Sequence, residues 1–346
     1  MNCRKTMITR LAGVLILMAS LCFFDVSLSR AGILLAWGDN DEHQCEVPDG
    51  DDFVAVAGGR EHGLALRSDG SLAAWERNYS GQCDVPLGNS FTAIDAGAFH
   101  SLALRSDGSL AAWGANTYGQ CDVPDGKEFV AVAGGWFWSM ALRSDGSLVA
   151  WGRNHYGQSD VPEGNDFTAI AAGEWHGLAL RSDKSLATWG YIVDNLFDPP
   201  DGNEFVDVSS GYWHCFALAE DDSIAAWGRT FYGQCDVPDG IDFRAMAGGR
   251  YHSLALTRDG SLVGWGDNTF GQCDVPPGDD FTAVACGFEY SLAIKVPEPS
   301  TLILLGIGAV CGVMYTGKTA RRCRSVESGP RHARTKAVWR AERNVR

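Results

Sequence analysis

Apolar positions come in short runs along this chain, four to six residues at a time, each closed by Gly, Asp, Asn or Pro. One stretch shows the pattern: Phe129 to Ala133 is run A, Ser139 to Arg143 run B, Ser147 to Trp151 run C and Ser159 to Pro162 run D. Runs of this length between turn residues predict strands, not helices. Ser144-Asp145-Gly146 reads as a tight hairpin turn between B and C, with glycine supplying the positive φ. Pro162-Glu163-Gly164-Asn165 then carries the chain to the next unit.

The same unit is written seven times. Trp37, Trp75, Trp113, Trp151, Trp189, Trp227 and Trp265 are spaced by 38 residues at every step, and Gly59, Gly97, Gly135, Gly173, Gly211, Gly249 and Gly287 keep the same step. A fixed period of this size marks a solenoid or a propeller. Runs A and C are apolar on both faces (FVAVA, SLVAW), so a lone sheet would leave one apolar face wet, whereas propeller blades packed face to face bury both. The expected fold is therefore all-β, a seven-bladed β-propeller with four-stranded blades. Alanine-rich run A suits the crowded centre, and the tryptophan of run C fills the wider gap further out. The chain enters the array in run C (Leu34 to Trp37) and leaves it in run B (Ser291 to Lys295), so N-terminal strands should complete the last blade and close the ring.

One unit departs from the rest. Lys184 stands where the hairpin glycine belongs, and Tyr191 to Pro200 replaces the usual outer segment, with Asn195 in its glycine slot. A less regular outer strand is expected there, and a local binding feature is an open alternative.

The two ends differ from the array. Arg4, Lys5 and Arg10 precede the apolar run Leu11 to Phe24 and the small-residue site Ser29-Arg30-Ala31, the form of a secretory signal peptide spanning 1–31. The propeller is assigned to 32–296. Residues 297–324 hold an apolar stretch, 301–316, followed by Lys318, Arg321, Arg322 and Arg324, and 325–346 form a basic tail. The apolar stretch lies near the lower length limit for a membrane span, and its basic flank sets an orientation.

Charge sharpens this division. The chain totals 28 Lys/Arg and 43 Asp/Glu; residues 1–31 take four bases and one acid and residues 300–346 take ten and two, leaving 14 bases against 40 acids, net −26, for the array. Such a domain repels phosphate backbones, which argues against nucleic acid as a partner.

The residues AGG-x-x-H-S-L-A-L, SDGS and AWG-x-N-x-x-GQ resemble the repeat of the regulator of chromosome condensation (RCC1) family across most of residues 33–296. That resemblance implies a seven-bladed propeller. The insertion-free period and exported setting are most similar to a secreted bacterial branch that includes the propeller-type β-lactamase inhibitory protein. The family's nuclear member is an exchange factor for a small GTPase that docks on chromatin, activities an exported acidic domain is not expected to share. Val296-Pro297-Glu298-Pro299-Ser300, the apolar stretch and the basic cluster resemble the PEP-CTERM sorting signal, which implies an exosortase-type processing enzyme as a partner.

Catalytic chemistry has no good candidate: there is no G-x-S-x-G, no H-E-x-x-H and no phosphate loop, so no enzyme activity and no cofactor are expected. His62, His100, His176, His214 and His252 share one slot and are read as structural, hydrogen-bonded to backbone between strands A and B, not as a metal ring. The SDG aspartates read as turn chemistry and not as a Ca²⁺ loop. Cys45, Cys83, Cys121, Cys235 and Cys273 share another slot, too far apart on neighbouring repeats for disulfides, and read as small buried residues.

The A–B loop is the informative segment. The three residues after each series glycine read REH, AFH, WFW, EWH, YWH, RYH and FEY, ten aromatics in 21 positions against 11% aromatic overall. Loops C–D emerge at the same end and add Tyr79, Tyr118, Tyr156, Tyr232 and Phe270, while the B–C hairpins and acid-rich connectors such as Asp49 to Asp52 form the back. Trp and Tyr clustered in variable loops on a rigid scaffold make binding hot spots. The candidate binding residues are Phe99, Trp136, Phe137, Trp138, Trp175, Tyr212, Trp213, Tyr251 and Phe288. The reading is an exported, membrane-tethered, non-catalytic propeller that grips an unknown protein through this face and is anchored by 301–316. The alternatives are a binder of envelope polysaccharide and, with least weight, an exchange-factor-like or enzymatic propeller.

Overall fold

The computed structural model describes residues 31–191 and 198–296. These form seven antiparallel sheets, each of three strands. Strands A, B and C of blades 1 to 3 are Phe53–Gly58, His62–Arg67 and Leu72–Glu76; Phe91–Ala96, His100–Arg105 and Leu110–Gly114; Phe129–Gly134, Trp138–Arg143 and Leu148–Gly152. Blades 4 to 6 follow as Phe167–Ala172, His176–Arg181 and Leu186–Gly190; Phe205–Ser210, His214–Ala219 and Ile224–Gly228; Phe243–Gly248, His252–Thr257 and Leu262–Gly266. Blade 7 joins A and B at Phe281–Cys286 and Tyr290–Lys295 to the N-terminal strand Ile33–Gly38, paired from Ile33↔Lys295 to Gly38↔Tyr290. Successive A strands neighbour one another, and that of blade 7 meets that of blade 1, so the ring closes as expected.

Run D is not a strand, and the blades are three-stranded rather than four-stranded. Its residues fold into a turn held by side chains: in blade 2 the Gly119 amide donates to Asn116 O at 3.3 Å, the Cys121 amide to Asn116 Oδ1 at 2.8 Å, and the Tyr118 amide to Gln120 Oε1 at 2.9 Å. Asn and Gln side chains thus capture the amides a sheet ladder would need.

The apolar core lies between blades. At the interface of blades 3 and 4, Ala131, Ala133, Met140, Leu148, Phe167, Ile170 and Trp189 pack together. Strand A, lined with alanine and glycine, faces the axis as its small residues require. The hairpin glycines keep positive φ (Gly70 +82°, Gly108 +79°, Gly146 +83°), and Lys184 adopts φ 68° in the same slot, so the departure in blade 4 leaves its hairpin intact. The remainder of that departure, including Asn195, falls on 192–197, outside the described residues.

A belt of hydrogen bonds runs from blade to blade. The imidazoles of His62, His100, His214 and His252 meet the hydroxyls of Ser101, Ser139, Ser253 and Ser291 in the next blade at 3.1, 2.9, 3.2 and 3.1 Å, and His176 meets Ser210 at 2.9 Å and Cys215 at 3.1 Å. The histidines are structural, but their ring partners are neighbouring blades and not backbone within their own. Where the next blade carries glycine in place of serine, at Gly177 and Gly63, the belt uses a larger ring: Trp138 Nε1 donates to Gly173 O at 3.1 Å and the Tyr290 hydroxyl to His62 O at 2.6 Å. Gly177 has to be small, because a Cβ there would lie 2.3 Å from the Trp189 ring. The carbonyls of Gln82, Gln120, Gln234 and Gln272 each accept from both the belt serine and the series tryptophan of the following blade.

The expected signal peptide, 1–31, lies outside the described residues but for Ala31, as do the apolar stretch 301–316 and the basic tail 325–346. The membrane segment is corrected: among the described residues no helix is long and apolar enough to cross a membrane, and the all-β propeller stands without it.

Candidate functional site

Each A–B loop is a turn of fixed shape. The series glycine donates its amide to the carbonyl of the first strand B residue, as in Gly97 to His100 O and Gly135 to Trp138 O, both at 2.9 Å, and the next residue reaches the neighbouring loop, as in Glu174 N to Tyr212 O at 3.2 Å and Tyr212 N to Gly249 O at 3.0 Å. The glycine is needed because a Cβ at Gly97 or Gly173 would lie 2.1 Å from the belt imidazole. The two residues that follow are thereby held on a rigid rim, free to differ in side chain.

The first of these two positions forms an inner cluster. Trp136, Tyr212 and Phe288, from blades 3, 5 and 7, meet edge to face with centroids 5.3, 4.9 and 5.8 Å apart. Arg60 lies over Trp136 and Phe288, and Arg250 over Phe288 at 4.4 Å. Glu174 takes the same position in blade 4 and is buried; loss of hydration pushes its carboxyl up to about 7, although Arg250, Arg229, Arg153 and Arg60 pull it down.

The second position forms an outer arc. Phe99 stacks on Phe137 at 5.4 Å, and Tyr118 from the C–D turn leans on Phe137 at 5.3 Å. Trp175 and Trp213 contact at 5.0 Å, with Tyr156 at 4.9 Å from Trp175 and Tyr191 at 4.8 Å from Tyr156. Tyr232 lies 4.8 Å from Tyr251. The structure therefore brings Phe99, Trp136, Phe137, Trp175, Tyr212, Trp213, Tyr251 and Phe288 onto one face, all half-buried. Trp138 is the correction: it is fully buried, because it stands in the belt histidine slot and its indole is spent on Gly173.

Sequence reasoning missed the cations of this face. Five of the 14 basic residues of the array lie here: Arg60, Arg77, Arg153, Arg229 and Arg250. Arg60, Arg77 and Arg250 are paired with Glu61 or Glu289. Arg153 lies over Tyr118 at 5.2 Å and Arg229 over Trp213 at 4.0 Å, and neither forms an ion pair with a described carboxylate. On the back, Arg67, Lys127, Arg143, Arg181, Lys184, Arg258 and Lys295 are tied to carboxylates, while Arg105 donates to Leu110 O at 2.9 Å and lies over Phe91. The signal was present in the residue after the Trp-Gly pair, arginine at 153 and 229.

No described group of three or more His, Cys, Asp or Glu is placed to hold a metal. Cys45, Cys83, Cys121, Cys215, Cys235 and Cys273 are free thiols; Cys121 Sγ donates to Ala115 O at 3.2 Å, and burial pushes the Cys83, Cys121 and Cys273 thiols up to about 12.

A profile of the RCC1 repeat matches residues 91–120, 129–158, 205–234 and 243–272. Four of the seven blades thus carry the RCC1 repeat, and the fold is a β-propeller. Its fold is similar to that of Prp20p from Saccharomyces cerevisiae (17% identity, TM-score 0.68, covering 83% of this chain and 98% of that one), described with its binding to Gsp1p and histones. It is also similar to human WBSCR16 (18%, 0.64, 77% and 99%) and to the ectodomain of the Physcomitrella patens receptor kinase CR4 (20%, 0.61, 72% and 72%). A second yeast structure shows RCC1 (Prp20) with Kap60 bound. No curated protein sequence matches the chain. The PEP-CTERM protein-sorting motif matches residues 295–318. The membrane contact expected through 301–316, and with it the membrane-anchored location, is corrected: no described helix can span a bilayer, and 301–316 itself lies outside the described residues.

Proposed function

We propose that this RCC1-repeat propeller is a non-catalytic scaffold for a protein partner, in the manner of exchange-factor and scaffold propellers of its fold. The observation that carries the reading is the loop face: rings from blades 2 to 7 gathered in three contacting groups on a rigid rim, with Arg153 and Arg229 set among them without an ion-pair partner among the described carboxylates. Half-buried Trp, Tyr and Arg are the residue types that dominate binding energy at protein interfaces. Yeast Prp20p, whose structure is described with its binding to Gsp1p and histones, supports a protein as the partner class.

A membrane-tethered form of the function is not supported, since no described helix can serve as the tether. Kinship with a secreted bacterial branch or with β-lactamase inhibitory proteins has no support among these relatives, which come from yeast, human and moss. The test is affinity capture on the immobilised chain, wild type against Trp175→Ala/Trp213→Ala. A protein retained by the first and lost by the second supports the reading. Capture that survives protease treatment and is lost on glycosidase treatment points to a polysaccharide instead, and capture unchanged by the double substitution removes this face from the function. Accelerated nucleotide release from a captured GTPase would identify the exchange-factor form.

A further inference from the structure

A cavity of about 420 Å³ runs along the propeller axis, lined by the A strands of the blades and by Trp136 and Tyr212 at the loop end. Its size falls in the range of small-ligand sites. Six of seven blades place alanine at the third position of strand A (Ala55, Ala93, Ala131, Ala169, Ala245, Ala283); blade 5 places Asp207 there. At the fifth position five blades carry alanine, blade 5 carries Ser209 and blade 2 carries Asp95. Both aspartates line the cavity. Alanine serves the packing of every other blade, so neither carboxylate is needed to build the wheel, and each costs the fold the desolvation of a charge.

We propose that this cavity binds a small organic dication, a linear aliphatic diamine held between Asp95 and Asp207. The two residues lie three blades apart on a ring of seven, hence on facing walls, and two residues apart in level, with alanine and glycine between them. A ligand that meets both has a cationic donor at each end and an apolar middle. Backbone amides reach both carboxylates, Gly134 N to Asp95 and Val208 N to Asp207 at 2.7 Å, with the Ala96 amide also on Asp95, and no protein cation is paired with either. The cation on the lining, Arg244, is bound to Phe281 O at 2.6 Å at the second position of its strand, towards the connector end. Desolvation by burial pushes both carboxyls up to about 7, so the site is filled best above neutral pH.

The test is calorimetric titration of the full chain with 1,4-diaminobutane at pH 8, against Asp95→Asn, Asp207→Asn and, as the residue six blades already carry, Asp207→Ala. One site is expected, with at least tenfold weaker binding in every variant and for butylamine, which lacks the second amine. Failure to bind overturns the proposal. Binding of equal strength in all variants overturns it as well, because the amine then sits on the acidic exterior. Asp207→Ala keeps the test open should an asparagine variant fail to fold.

Discussion

The belt between blades and the rim above it are built from adjacent residues, yet they behave oppositely along the chain. The belt repeats one solution, imidazole to the next blade's hydroxyl, and changes only in step: where Gly177 and Gly63 remove the hydroxyl, Trp138 and Tyr290 replace the histidine. The rim, one or two residues earlier, settles on no such solution: at neither position does one side chain serve more than two of the seven blades. Repetition here marks what holds the wheel together, and its failure marks what the wheel presents. The same distinction isolates Asp95 and Asp207 on the inner wall.

Titration should break this comparison most sharply, because the two regions respond to acid with opposite sign. Burial lowers His100, His176 and His214 to about 3 and His62 and His252 to about 4, below the unfolded value near 6.5, so the belt's stability is whole above pH 6.5 and is lost as pH falls towards 4 and below. Asp95, Asp207 and Glu174, raised to about 7, run the other way: their stability is present below about pH 4 and is lost as pH rises through 7. Between pH 6.5 and 4.5 these three acids, with Glu76, which burial also pushes up to about 7, offset most of what the five histidines lose. Below about 4.5 the raised acids of the fold have no more protons to gain, the histidines still do, and Asp69, Asp145, Asp183 and Asp259, held below the usual carboxylate range by their turn partners, add a further loss as pH falls. For the buried histidines a tenfold difference in proton affinity between folded and unfolded chain corresponds to about 1.4 kcal/mol, so the belt alone should lose on the order of several kcal/mol below pH 4.5. Thermal melts across pH 3 to 8 should show a shallow change followed by a steep fall; a steep fall beginning at pH 6.5 would mean that the channel and rim acids are ionised in the fold.

Single substitutions come next in size. Trp138→Ala empties a fully buried indole site and should cost about 3–5 kcal/mol in denaturant unfolding. Trp138→His alone should recover little, since Gly177 offers no hydroxyl. Trp213→Ala removes a half-buried ring under Arg229 and should cost about 1 kcal/mol of stability or less, but about 2 kcal/mol of partner binding, roughly thirtyfold. Equal losses at 138 and 213 in both measurements would erase the division between belt and rim.

The period, the blade number, the closing strand and the structural role of the histidines are legible in the sequence, because each rests on a repeated residue. Strand D is not: Ser159 to Pro162 has a strand's length, but the Asn and Gln that cap its amides act over two to five residues and leave no apolar alternation to count. Trp138 escapes an aromatic count because such a count treats all three loop positions alike, whereas the third opens strand B and is buried. The arginines escape because a net charge of −26 hides the cations of one face, Arg153 and Arg229 among them, which lie over aromatic rings instead of in ion pairs.

The smallest effect tests whether the cysteine slot belongs to the belt's kind of residue. Blade 3 carries Ser159 where other blades carry Cys121 or Cys273, and its hydroxyl donates to Arg153 O at 3.1 Å as the thiols donate to Ala115 O and Asp267 O at 3.2 Å. Since the protein already contains the substituted slot, Cys121→Ser should shift stability by no more than about 0.5 kcal/mol. The native thiols, pushed up to about 12, should resist alkylation at pH 8 until the chain is unfolded, because the reactive thiolate is scarce. Rapid alkylation of the folded chain, or a large loss of stability on the serine exchange, would give the slot a chemistry of its own and move it from the repeated scaffold to the presented surface.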